Sequence, residues 1–189
     1  MRAGLYNLGF TLAEMLVAMA MLAVLTHSAL LYVPDWISQH QAQAAIRVLQ
    51  SAVNLARLAA VNKRVNIVVC PGDDQTCGGR DTWHQGILIF EDHDNSRSFS
   101  HLDVPVAQLP GFDHGHVVWR SFRNRRYLLF TPRGMTAWQN GHFRYCPNSQ
   151  AAQFARQLTL NYAGRTYVSA DRNNDGIHED PYGEPLTCG

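Results

Sequence analysis

The chain has 189 residues, of which 46% are hydrophobic, 16% charged and 10% aromatic, and 16 Lys+Arg against 15 Asp+Glu leave a formal net charge of +1. This balance excludes a disordered tail, a collagen-like fibre and a multi-pass membrane protein, and the length suits one domain that buries its own core. Neutrality hides a bias: Lys63 is the only lysine, and arginine favours bidentate contacts to carboxylates or phosphates.

In chain order, residues 1–9 form a short polar leader whose positive flank is Arg2 and the initiator amine. Residues 10–33 carry a single formal charge, Glu14, and no Pro or Gly. At ~1.5 Å per residue this run reaches about 36 Å, enough to cross a hydrocarbon layer of roughly 30 Å as one helix. A cleaved secretory signal would follow with small residues, whereas Leu30, Leu31, Tyr32 and Val33 stand beyond Ser28. Pro34 is expected to kink or break the helix. Residues 34–62 then continue it as an amphipathic segment, with Ala45, Val48, Leu49, Ala52, Leu55, Ala56 and Ala59 on one face. The remainder, 63–189, reads as a β-rich head. Its expected strands are Val65–Cys70, Gly86–Phe90, Val117–Trp119, Tyr127–Thr131, His142–Cys146, Gln157–Asn161 and Arg165–Ser169, separated by turn-forming clusters and joined as an antiparallel meander.

Cys70, Cys77, Cys146 and Cys188 contain no CxxC pair and no accompanying histidine spacing, which indicates a disulfide framework in an oxidising compartment rather than a zinc site. Pro71, Gly72 and Gly78 supply turn chemistry around Cys70 and Cys77, so these two are expected to pair, leaving Cys146 with Cys188. The positive N-terminal flank places that end in the cytoplasm and the head beyond the inner membrane.

A carboxylate inside an apolar span costs about 2.5 to 3.5 kcal/mol at the bilayer centre and less near its end. Glu14 therefore either snorkels to the headgroups or has a partner. The surrounding residues, Gly9-Phe10-Thr11-Leu12-Ala13-Glu14-Met15-Leu16-Val17, resemble the class III signal of type IV pilins and type II secretion pseudopilins. The resemblance implies that a prepilin peptidase cuts after Gly9 and methylates Phe10. It also implies that Glu14 pairs with the terminal amine of a neighbouring subunit during assembly. Residues 62–70, 83–90, Phe130-Thr131-Pro132-Arg133-Gly134 and Ala163-Gly164-Arg165 are similar to the GspH/FimT group of minor pilins. The implied architecture is α+β, the type IV pilin fold, with a long N-terminal helix, transmembrane in its first half, packed on an antiparallel β-sheet head. The implied function is assembly into a type IV pilus, in a priming or tip complex with other minor and major pilins. The alternatives are a type II secretion minor pseudopilin H and, from another class, a membrane-anchored DNA-binding receptor for transformation.

Arg120, Arg123, Arg125 and Arg126 are interleaved with Trp119, Phe122 and Tyr127, a pattern used by surfaces that track single strands or phosphates. Some FimT-like minor pilins bind DNA through a C-terminal GRxR motif; here Gly164-Arg165 is present and Tyr167 stands at the second arginine. The competing reading has these arginines solvating a loop or pairing with Glu91, Asp92 and Asp94. Asp171, Asn173, Asp175 and Gly176 match the opening of a calcium loop, with Tyr182 at the place of the closing acid and Glu179, Asp180 or Glu184 as substitutes. The other reading is an Asx-rich turn. No cofactor other than calcium is expected, and without HExxH, a P-loop or GxSxG no enzyme is expected.

Overall fold

The computed structural model describes residues 10–72 and 76–188, without the side chains of residues 28–32. The leader and Asp73, Asp74 and Gln75 of the first cysteine loop lie outside the described residues. The chain divides after Ile37 into two compact units.

One helix, α1 (Leu12–Lys63), begins in the first unit and ends in the second. Thr11 starts it: the Glu14 N–H donates to Thr11 Oγ1 at 3.2 Å, and the Met15 N–H donates to the Thr11 carbonyl at 3.2 Å. The N-cap hydroxyl thus satisfies a donor that the first turn would leave orphaned. The helix continues through Pro34, against the expected break. A proline removes one ladder bond, and the turns on either side hold the helical path.

In the second unit the helix buries Ala42, Ala45, Ile46, Leu49, Ala52, Val53, Ala56, Ala59 and Ala60. Their three- and four-residue spacing makes one stripe, and the alanines let the backbone lie close to its neighbours. Leu55, expected on this face, is exposed, as are Leu58 and Val61. The helix ends where Arg64 takes a left-handed conformation (φ 57°) and donates its N–H to the Ala60 carbonyl at 3.0 Å.

The head contains strands β1 (Ile67–Pro71), β2 (Gly86–Glu91), β3 (Val104–Pro110), β4 (Gly115–Ser121), β5 (Leu128–Phe130), β6 (Gly141–Pro147), β7 (Arg156–Leu160) and β8 (Thr166–Val168). They form two antiparallel four-stranded sheets, ordered β3-β2-β1-β5 and β4-β6-β7-β8, instead of the single meander expected. The chain leaves the first sheet after β3, contributes β4 to the second, and returns as β5 beside β1. β3 was absent from the expected strands because Pro105 and Pro110 demote the run; it is an edge strand, where proline is tolerated.

Alternate residues of both sheets, including Ile67, Val69, Ile87, Ile89, Trp119, Phe143, Tyr145 and Leu158, share one core with the helix stripe. Trp119 stacks on Phe143 with ring centroids 4.2 Å apart, and Trp83 meets Phe143 edge-on at 4.7 Å. The opposite face of the first sheet carries a second cluster of Val68, Cys70, Leu88, Phe90 and Leu129, against which Phe99 and Tyr127 pack. β1 and β2 are therefore buried on both faces, which is why they read as unbroken apolar runs. Disulfides join Cys70 to Cys77 and Cys146 to Cys188.

Candidate functional site

The first unit presents an apolar helix surface interrupted by one acid. Leu12–His27 is an apolar helical stretch, and its large side chains are exposed, from Phe10 (79%) through Met15, Leu16, Val17, Met19 and Leu22 to Leu25. The Thr26 hydroxyl donates to the Leu22 and Ala23 carbonyls, so its polarity is satisfied within the helix. Glu14 is exposed in the first helical turn, at the positive end of the backbone dipole. Gly9, on the leader side of the expected cleavage point, lies outside the described residues. Leu12–His27 is shorter than a membrane span; among the described residues the stretch long and apolar enough to cross a membrane is Val33–Lys63, with a mean hydropathy of 1.2. Its apolarity has another explanation, since the stripe from Ala42 to Ala60 is core.

The arginines do not form the single cluster expected from their spacing. Arg123 and Arg125 line a cavity of about 200 Å³ with Phe122, Tyr127, Trp138 and Arg97, the last of which sequence spacing did not bring into the group. Arg123 has φ 64° and its guanidinium lies 5.7 Å from the centroid of the Phe122 ring. Trp138 is 71% exposed and packs on Tyr162 with centroids 5.1 Å apart. Arg120 belongs elsewhere. Strand alternation turns Trp119 into the core and Arg120 onto the other face of β4, where it lines a groove with His116, Arg144 and the Cys146–Cys188 disulfide. Burial, together with Arg144 and Arg120, pushes the nearby His142 down to about 4. Arg126 is exposed beside the cavity-lining pair in sequence, and Arg165 is exposed in the β7–β8 turn, its N–H donating to Asn161 Oδ1 at 2.9 Å. Pairing with the acidic stretch is not observed: among the described residues the ion pairs are Lys63–Glu91 at 2.6 Å and His93–Glu91 at 3.1 Å.

The loop after β8 brings carboxylate oxygens of Asp171, Asp175 and Glu179 within 4.8 Å of one another. Glu179, one of the substitute acids, is buried; its Oε2 accepts the Arg172 N–H at 2.8 Å. Asn173 is engaged in the turn: its Oδ1 accepts the Asp175 N–H and its Nδ2 donates to Asp175 Oδ2. The acids converge, and Asn173 is bonded to Asp175 beside them. Asp180 Oδ1 instead accepts the N–H groups of Tyr182 and Glu184.

Residues 45–164 match the family model of the type II transport protein GspH, and residues 6–30 match the prokaryotic N-terminal methylation motif. No curated protein matches in sequence. Among solved structures, the type IV minor pilin FimU of Pseudomonas aeruginosa (strain PAO1) is similar in two crystal forms. One aligns with a TM-score of 0.57 at 22% identity, covering 82% of this chain and 99% of that one. The other gives 0.53 at 22% identity, covering 78% and 99%. The likeness shows the fold: an N-terminal apolar helix followed by an antiparallel β head, as in type IV pilins.

Proposed function

Because the chain belongs to the GspH family and carries the N-terminal methylation motif, we propose that it is a minor pilin processed between Gly9 and Phe10 and methylated on Phe10. Residues 10–33 hold it in the inner membrane with its head on the periplasmic side, and it enters a type IV pilus through a priming or tip complex with other minor and major pilins. The observation that carries this reading is the exposed apolar helix with Glu14 in its first turn. Apolar side chains exposed on this scale need lipid or the helices of other subunits around them. A carboxylate among them gains from a cationic partner, and the amine created by cleavage ahead of Phe10 is one of matching chemistry. Leu55, Leu58 and Val61 extend exposed apolar surface along the helix within the head unit.

Mass spectrometry of the membrane-extracted protein is expected to find a chain beginning with methylated Phe10. Glu14→Ala is expected to remain membrane-inserted, because removing the charge favours insertion, but to be depleted from sheared filaments. An intact leader, or normal filament incorporation of the variant, removes the corresponding part of this reading. Loss of pili or loss of secretion in a deletion strain separates the pilus role from a type II secretion pseudopilus.

The cavity of Arg97, Arg123 and Arg125 with Phe122, Tyr127 and Trp138 favours a second reading, contact with single-stranded DNA through phosphate pairing and base stacking. With about three or four phosphates engaged, log K is expected to fall against log salt with a slope of about −2 to −4. Arg125→Ala should flatten that slope by nearly one unit, and Arg165→Ala tests whether the turn contributes. Gel-shift titrations of the detergent-solubilised chain that show no binding at low salt would leave assembly as the only role.

A further inference from the structure

The connection between β2 and β3 is the segment 92–103, and its polar residues recur in a particular order: Asp92, Asp94, Ser96, Ser98, Ser100 and Asp103. These are the first, third, fifth, seventh, ninth and twelfth places of a twelve-residue calcium loop, in which the seventh contributes its backbone carbonyl and the twelfth is an acid. The sixth place, where such loops turn sharply, is Arg97 with φ 62°. We propose that this loop binds calcium, with Asp92, Asp94 and Asp103 as carboxylate ligands, the Ser98 carbonyl as a backbone ligand and water filling the remaining places.

Carboxylate oxygens of Asp92, Asp94 and Asp103 lie within 4.8 Å of one another. An acidic cluster alone would not indicate a ligand, and the deciding feature is Asp92. This residue is 4% exposed, its Oδ2 is buried with no hydrogen-bond partner, and its carboxylate converges with those of Asp94 and Asp103. A buried carboxylate oxygen without a donor is costly, and a cation is the partner that would relieve it. No protein cation takes that place. Among the described residues, Lys63 and His93 pair with Glu91, and no arginine forms an ion pair with the three acids.

The remaining contacts hold the ligands in position. Asp103 Oδ1 and Oδ2 accept the N–H groups of His93 and Ser100, Asp94 Oδ1 accepts that of Ser96, and the Ser100 hydroxyl donates to Asp94 Oδ2 at 3.1 Å. The Ser96 hydroxyl donates to the Ser98 carbonyl at 2.8 Å, so both oxygens lie together. Phe99 anchors the loop to the body through Phe90, with ring centroids 5.3 Å apart. Oxygen-only ligands on an irregular loop suit calcium better than magnesium, which requires near-ideal octahedral geometry.

The test is calorimetric titration of calcium chloride into the chelator-stripped full chain in detergent. Binding is expected with a Kd of about 10⁻⁴ to 10⁻³ M, the range of extracellular calcium modules. Asp94→Asn and Asp103→Asn should each weaken it at least about tenfold by lowering the ligand charge. Asp175→Asn, in the other acidic loop, should leave this binding in place. Asp94 is exposed and its substitution is not expected to unfold the head, so it decides the matter if Asp103→Asn does not fold. Absence of binding to the wild-type chain, or binding unaltered by Asp94→Asn, overturns the proposal. So does binding that disappears in Asp175→Asn alone.

Discussion

Replacing Cys146 and Cys188 together by alanine is expected to destabilise the head by about 4 kcal/mol, against about 2.5 kcal/mol for the same change at Cys70 and Cys77. The difference follows from loop closure, since the first bond spans a sequence separation of 42 and the second one of 7. Packing acts in the same direction. Cys146 and Leu186, both buried, form a small core with Ala155, against which Cys188 packs, and the Arg144 Nη1 donates to the Thr187 carbonyl at 3.3 Å. Without the bond the last residues lose their covalent tie to the second sheet, and the Arg144 bond to the Thr187 carbonyl is no longer held by it. Thermal unfolding followed by circular dichroism should show a midpoint lower by about 8 to 16 °C for the Cys146 and Cys188 variant. A larger loss from the Cys70 and Cys77 variant would mean that strain or local packing, not loop length, governs the contribution of these bonds.

Trp119→Ala is expected to cost about 3 to 5 kcal/mol, because a fully buried aromatic leaves a cavity that its neighbours cannot close. The indole packs between Phe143, its register partner on β6, at 4.2 Å and Trp83 of the β1–β2 connection at 6.3 Å between ring centroids. Trp119→Phe separates ring packing from hydrogen bonding. The Trp119 Nε1 is buried without a partner, so removing its N–H forfeits no hydrogen bond, and the phenyl ring retains part of the contact. Urea unfolding should therefore place Trp119→Phe at less than half the loss of Trp119→Ala. Equal losses in the two variants would mean that the phenyl ring recovers none of the indole's packing.

Local patterns made much of this architecture legible. The stripe through Ala45, Leu49, Ala52, Ala56 and Ala59 repeats at helical spacing, and those residues are buried. Leu55 follows the same arithmetic approximately yet is exposed, because periodicity gives a face only to within a residue or so at its margin. Seven strands lie within or beside the expected runs, since branched and aromatic residues bounded by turn clusters are a local property. β3 was hidden by Pro105 and Pro110: whether proline is tolerated depends on lying at a sheet edge, and edge position is not local.

The same division governs the candidate sites. Sequence alone determined the apolar segment with its lone acid, the motif around Phe10 and the pairing of cysteines beside turn residues, because each is a matter of neighbours along the chain. Only the tertiary structure decided which polar groups meet. It separated Arg120 from Arg123 and Arg125 because strand pleating sends Trp119 and Arg120 to opposite faces, and it added Arg97 to the pair through a loop distant in sequence. It also brought the buried Glu179 to Asp171 and Asp175, and it buried Asp92 with one oxygen lacking a donor. Burial and convergence depend on how two sheets and a helix close around one core, and that closure is a property of long-range packing, which no window of consecutive residues contains.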